Sequence, residues 1–275
     1  MSVAFQVRNA NPPWRRWLRR LRQWRGAGMV KTHQVHIVSI NGERFKRVTF
    51  ARPEEAIAVS SGLKCVSALR RFPAPVALDG CQVWTEYVPG GLATGSDRER
   101  VVDFFAALYR FNATRVGTHT TDFPARLIAD LDFLVEADVI ASRLADQLKR
   151  AGGELQPQFV LLGHDYVDPV LKNFVISDGL AVGIDIEALV GDLPLGYGLA
   201  KARLRWLGHA DDNVLRRLDG PQGAAVRQQY PWVRLCFLAS YFRQKVLQRK
   251  PGLIQVAALA EFVAQKKAPP GGGAF

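Results

Sequence analysis

The 275-residue chain is poor in cysteine, with Cys65, Cys81 and Cys236 only, and no two of them stand in a Cys-x-x-Cys pair. That excludes a disulfide framework and a thiolate zinc site, and makes a reducing compartment the expected setting. No uninterrupted apolar stretch approaches the roughly 20 residues that a membrane-spanning helix needs. Residues 1–30 lack acids altogether but carry seven arginines (8, 15, 16, 19, 20, 22 and 25), so +7 of the net +12 lies there. Arginine thus stands where a secretory signal would have its apolar core. The remainder of the chain carries only +5, which argues against a body coated in basic residues for nucleic acid. The rest of the composition, 48% hydrophobic and 23% charged, is that of a folded protein of one large domain or two lobes.

Pro12-Pro13 opens a run in which Trp14, Trp17, Leu18, Leu21 and Trp24 recur at helical spacing, with six arginines on the other faces. Proline ahead of the run and Gly26 and Gly28 after it suit helix boundaries. Three readings stand for such a helix: an anionic membrane surface met by Trp and Arg, packing on the body or a partner, and RNA. Met29 is a candidate second start that would omit the segment. From residue 35 the hydrophobic period changes to two. Residues 35–40 and 44–50 flank Asn41-Gly42, which predicts a hairpin. A helix is expected from Arg52-Pro53-Glu54-Glu55 to about Leu69, and a second hairpin over 75–88 around Asp79-Gly80, ending at Pro89-Gly90-Gly91. Residues 98–150 read as helical, closed by Gly152-Gly153. Short strands are expected at 159–162, 174–176 and 181–184, helices from about 199 to 265, and a disordered tail over 266–275. The expected organisation is a basic segment (1–30), a β-rich lobe (31–90), a helical lobe (91–265) and the tail. No internal repeat is evident.

The densest chemistry lies between residues 163 and 187. Asp168 is followed five residues later by Asn173, then by a hairpin with Asp178-Gly179 at its turn, and then by Asp185-Ile186-Glu187. Phosphoryl transfer needs such a set: one carboxylate to orient or deprotonate the attacking hydroxyl, and an amide oxygen with a second carboxylate to hold Mg2+ on ATP phosphates. A loop followed by a hairpin brings Asn173 and Asp185 to one end of the same ladder.

These residues resemble the protein-kinase-like superfamily, in particular its small-molecule branch of aminoglycoside and choline kinase type. The family's loop has the form His-x-Asp-x-x-x-x-Asn followed by Asp-Phe-Gly or Asp-x-Glu. The resemblance implies an α+β, bilobal protein-kinase-like fold, with a small β-rich N-lobe and a larger helical C-lobe. It also implies ATP and Mg2+ as cofactors, Asp168 as catalytic base, and Asn173 and Asp185 as metal ligands. Residues 83–90 are similar to the family's last small-lobe strand and hinge, which implies adenine binding by the backbone at Glu86 and Val88. Residues 101–112 look like the helix that usually reads Leu-x-x-Leu-His. Lys46 is the candidate for the strand lysine on the α- and β-phosphates, although an ungapped alignment puts Val48 there. Glu55 or Glu54 is the candidate for its helix partner.

Departures from the pattern are equally plain. Tyr166 stands where the loop histidine usually lies, with His164 two residues upstream, and no Gly-rich phosphate loop is evident. His164 is expected to be structural, and the aromatics Tyr230, Trp232, Phe237, Tyr241 and Phe242 to be helical core. The stretch Asp168-Pro169 to Asn173-Phe174 further resembles bacterial lipopolysaccharide core kinases. That implies a hydroxyl on a small-molecule or glycolipid acceptor, and a cytoplasmic enzyme held peripherally at the membrane by residues 14–25. A catalytically weak pseudokinase or membrane-associated scaffold is the alternative, and nucleic acid is the least favoured partner. Removal of residues 1–28 is expected to abolish sedimentation with anionic vesicles while the body stays folded. If the segment serves RNA instead, the same deletion removes a strongly salt-dependent RNA affinity.

Overall fold

The computed structural model describes residues 5–9, 33–111 and 113–264. The helix expected at 14–25 and the tail at 266–275 lie outside these residues. The first sheet is built from β1 (Phe5–Asn9), β2 (Gln34–Ile40), β3 (Glu43–Thr49), β4 (Pro75–Asp79) and β5 (Gln82–Glu86). Their order is β1-β2-β3-β5-β4, with every neighbouring pair antiparallel. Asn41 and Gly42 both take positive φ, 52° and 89°, which a two-residue type I′ turn demands. They set the β2–β3 register from Ile40↔Glu43 to Gln34↔Thr49.

β1 corrects one expectation. Residues 5–9, inside the segment expected to be purely basic and helical, form a strand antiparallel to β2. The five residues Phe-Gln-Val-Arg-Asn are too short a pattern to stand out beside the arginines that follow. A chain started at Met29 would lose this edge strand, and so would the 1–28 deletion, whose body is then expected to keep its fold with β2 as the new sheet edge.

Helix α1 (Pro53–Cys65) begins with Pro53 in its first turn and Glu54 and Glu55 near its positive end, as the dipole favours. It packs on β4 and β5. After β5 come β6 (Gly91–Leu92), α2 (Arg98–Tyr109), β7 (Ala113–Gly117), α3 (Phe123–Glu136), α4 (Ser142–Leu155) and β8 (Phe159–Tyr166). Then follow β9 (Phe174–Ser177), β10 (Leu180–Gly183), β11 (Leu189–Pro194), α5 (Tyr197–Ala202), α6 (Asp211–Arg217), α7 (Gly220–Leu247) and α8 (Val256–Ala264). None of the described helices is long and apolar enough to cross a membrane.

Three further differences from the pattern have physical causes. The helical reading of 98–150 is broken by β7, whose β-branched Thr114 and Val116 pair with Leu162 and Val160 of β8. Gly152-Gly153 does not end a helix but lies inside α4, because a Cβ on Gly152 would stand 2.8 Å from Leu127 Cδ2 of α3. The region from 199 to 265 is divided by a π-helical turn at Arg203–Leu207 and by short 3-10 turns. As expected, Tyr230, Trp232, Phe237, Tyr241 and Phe242 are all buried on α7.

The chain forms two compact units, Met1–Phe111 with His164–Gly191, and Asn112–Gly163 with Asp192–Phe275. The first holds the five-stranded sheet, α1, α2 and the β9–β10 hairpin. Its core includes Phe72, Phe104, Tyr166 and Phe174, whose rings meet edge to face at centroid distances of 5.0–5.7 Å.

The second unit is helical and pins the first half of β8 through Gln229 of α7. That side chain is fully buried. Its Oε1 accepts from Leu161 N–H at 2.7 Å, and its Nε2 donates to Leu195 O at 2.9 Å and to Leu161 O at 3.3 Å. Gln229→Leu leaves the Leu161 amide and the Leu195 carbonyl buried without these partners. Two such groups cost on the order of 2–4 kcal/mol, which urea unfolding will read as a lowered midpoint at unchanged slope.

Candidate active site

Every residue singled out from the sequence as catalytic, metal-ligating or nucleotide-binding lies in the first unit. The site begins with the β9–β10 hairpin. Asp178 and Gly179 both take positive φ at its turn, 49° and 76°. The ladder runs from Ser177↔Leu180 to Phe174↔Gly183, and one further bond, Ile184 N–H to Asn173 O at 2.9 Å, extends it. Asn173 and Asp185 therefore emerge from the same open end, as the spacing predicted.

Asn173 is 6% exposed. Its Nδ2 donates to the backbone oxygen of Asp168 at 2.8 Å and to Asp168 Oδ2 at 3.1 Å. In a planar amide this turns Oδ1 to the opposite side, as a hard-cation ligand requires. The donor set of one amide oxygen and the Asp185 carboxylate suits Mg2+, which prefers oxygen ligands and keeps several waters.

Lys46 lies on β3 opposite Thr85 of β5, and Val48 lies opposite Val83. Directly opposed residues share a face of the sheet, so all four point the same way. Val48, Val83 and Thr85 are buried at 1%, 0% and 0%. Val48 is core, and Lys46 reaches out of it to donate through Nζ to the backbone oxygen of Ile184. That carbonyl immediately precedes Asp185. Thr85 Oγ1 has no hydrogen-bond partner among the described residues.

The expected pairing of Lys46 with a helix glutamate is not made. Glu55 Oε1 instead accepts from Arg52 Nη2 at 2.7 Å and Nε at 2.9 Å. The hydrogen bonds from Arg52 hold the Glu55 carboxyl below the usual carboxylate range. Glu55 sits in the first turn of α1, three residues after Arg52, and this local partner takes it. Its Oε2 is buried with no hydrogen-bond partner among the described residues. Glu54 is exposed. Glu187, the last residue of Asp-x-Glu, has Oε2 3.5 Å from His33 Nε2.

The hinge candidates are held by backbone bonds. Glu86 N–H donates to Ala74 O at 3.0 Å, Tyr87 N–H donates to Arg44 O at 3.2 Å, and Glu86 Oε1 accepts from Ala74 N–H at 3.0 Å. The Glu86 side chain thus anchors the strand end, and a nucleobase would have to meet backbone groups. Past Val88 the chain needs glycine. Gly90 has φ +133°, and a Cβ there would stand 2.1 Å from Ile176 O. This close approach lets β6 pair with β9 through Gly91↔Ile176 and Leu92↔Val175, so the chain that follows residues 86–90 joins the sheet of the hairpin that carries Asn173 and Asp185 at its open end.

β8 supplies three consecutive residues with separate tasks. The His164 ring is packed within 3.4 Å of where Cβ atoms on Gly62 and Gly191 would stand, a structural place as expected, though on a strand. Asp165 is fully buried and accepts from Tyr109 Oη at 3.0 Å and Tyr166 N–H at 2.7 Å. Tyr166, also fully buried, donates from Oη to Asn173 O at 3.0 Å and accepts from Asp185 N–H at 3.1 Å. Burial, with the nearby Asp185 charge, pushes its hydroxyl well above the ordinary tyrosine value, so it remains a donor.

No protein-family model and no curated protein sequence matches the chain. Solved structures do. Aminoglycoside phosphotransferase APH(4)-Ia superposes with a TM-score of 0.56 at 14% identity, over 98% of this chain and 95% of that one. A macrolide 2'-phosphotransferase type I gives 0.53 at 12% identity, over 95% and 99%. A choline kinase from Streptococcus pneumoniae gives 0.52 at 12% identity, over 85% and 91%. Thermostable mutants of APH(4)-Ia in ternary complexes with ADP or AMP-PNP and hygromycin B match as well, each with a TM-score of 0.55. The chain therefore has the α+β fold of the aminoglycoside and choline kinases, with a small antiparallel sheet lobe and a helical lobe.

Proposed function

We propose that this protein is an ATP- and Mg2+-dependent phosphotransferase acting on a hydroxyl of a small molecule. One observation carries the reading: Asp168, Asn173 and the backbone at Asp185 belong to a single hydrogen-bonded cluster, with the Lys46 ammonium on the carbonyl next to Asp185. The shared fold of known phosphotransferases supports it.

In this reading Asp168 orients the acceptor hydroxyl and takes its proton as the oxygen attacks the γ-phosphorus. The bond from that phosphorus to the β–γ bridging oxygen breaks, and ADP leaves. Asn173 Oδ1 and the Asp185 carboxylate would hold Mg2+, whose charge would offset that of the phosphates. Lys46 binds α- and β-phosphate oxygens, and the backbone at Glu86 and Val88 meets the adenine edge. The acceptor we favour is a sugar on a lipid carrier. The Trp/Arg run at 14–25 supports this choice, because its chemistry suits an anionic membrane surface at which the protein would lie on the cytoplasmic side.

One observation favours a second reading, a catalytically weak pseudokinase. Glu55, the helix carboxylate, is engaged by Arg52 beside it in sequence.

Phosphotransfer from Mg·ATP, measured with lipopolysaccharide precursors, aminoglycosides and a generic protein as acceptors, separates the two. Asp168→Ala and Asp185→Ala are each expected to lower the rate by a factor on the order of 10²–10³ or more. Glu55→Gln is expected to stay within a few-fold of the wild type, because its partner is a surface arginine. A well-folded preparation that does not bind Mg·ATP sinks the enzyme reading.

A further inference from the structure

The β9–β10 ladder ends one residue too early to hold both expected metal ligands. Its last backbone bond joins Ile184 N–H to Asn173 O, and Asp185 lies one step beyond. At that step a side chain takes over. Tyr166 Oη accepts the Asp185 amide at 3.1 Å and donates its single proton to Asn173 O at 3.0 Å. A hydroxyl is both donor and acceptor, so one oxygen serves as a missing rung between the two strands. The ring that carries it is fully buried and held edge to face by Phe72, Phe104 and Phe174 at 5.7, 5.5 and 5.3 Å. Its backbone is fixed too, through Tyr166 N–H to the buried Asp165 carboxylate. A Cβ on Gly183 would stand 3.1 Å from Tyr166 Cζ, so the end of β10 presses against the ring.

We infer that Tyr166 is a positioning residue that sets the spacing of Asn173 and Asp185, and through it the metal affinity of the site. The inference rests on the reading that these two residues hold Mg2+. The rigid phenol replaces an adjustable loop contact, and neither ligand's backbone can shift without stretching a bond to the same oxygen. Removing the hydroxyl alone keeps the ring and its packing, but leaves the Asp185 amide without this acceptor and frees the two ligands to drift apart.

The test is Tyr166→Phe, with Mg·ADP and metal-free ADP binding measured separately by calorimetry, and Mn2+ binding followed by electron paramagnetic resonance. The expected result is a loss of about tenfold or more in metal affinity, with metal-free ADP affinity and near-UV circular dichroism unchanged. Tyr166→His, whose imidazole also both donates and accepts, should recover part of the loss. Should the phenylalanine variant not fold, the histidine variant against wild type gives the same metal-against-nucleotide comparison. Wild-type metal affinity in Tyr166→Phe overturns the inference, as does an equal fall in metal-free ADP binding, which would mean general loosening. A wild-type protein that binds no Mg·ADP overturns instead the phosphotransferase reading on which this one stands.

Discussion

Strand β9 is hydrogen-bonded on both sides, to β10 and to β6, and the arrangement of the site depends on that double pairing. Through β10 it brings Asp185 to Asn173. Through β6 it ties the hairpin to the chain that follows residues 86–90, where Gly90 lets two backbones approach. Four strand residues thus connect the expected adenine-binding and metal-binding segments. The aromatic cluster of Phe72, Phe104, Tyr166 and Phe174 sits against this junction. Buried edge-to-face pairs make it stiff, and a stiff junction suits chemistry that depends on positioning and electrostatics more than on a reactive side chain.

Beside this scaffold the polar contacts divide into those that hold the frame and those that face a ligand. The Glu86 carboxylate, the Gln229 amide and Asp165 are all occupied by backbone or buried hydroxyl partners, and they hold strands in place. Asn173 Oδ1 and Lys46 stand at the open end of the hairpin, the place that the proposed function gives to the phosphates. Glu55 belongs to neither group. Its N-terminal position on α1 gives it to Arg52 by proximity, three residues away along the helix, before a strand lysine is within reach.

Local signals were legible in the sequence where the physics is local. Asn41-Gly42 and Asp178-Gly179 announce type I′ turns because few other residues tolerate positive φ twice in succession. The Asp-x-x-x-x-Asn and Asp-x-Glu spacings place three acceptor groups on a loop and a hairpin. Signals failed where a partner distant in sequence decides. β1 and β7 are five residues each and become strands only by pairing with β2 and β8. Gly152 reads as a terminator, yet its missing side chain makes room for Leu127. Phe5–Asn9 lie within a stretch whose arginines dominate the pattern, and their strand shows only through pairing with β2.

By itself the sequence determined the class of fold, the hairpins, the helical aromatic core and the identity of Asp168, Asn173 and Asp185 as the residues of interest. Each follows from periodicity, turn chemistry or the spacing of a few polar groups within some twenty residues. Only the tertiary structure decided that Lys46 and not Val48 projects from the shared face, that Glu55 turns to Arg52, and that a tyrosine bridges the two expected metal ligands. Those outcomes depend on strand register and on which buried hydroxyl reaches which backbone group. Register couples residues dozens of positions apart, and no short-range pattern encodes it.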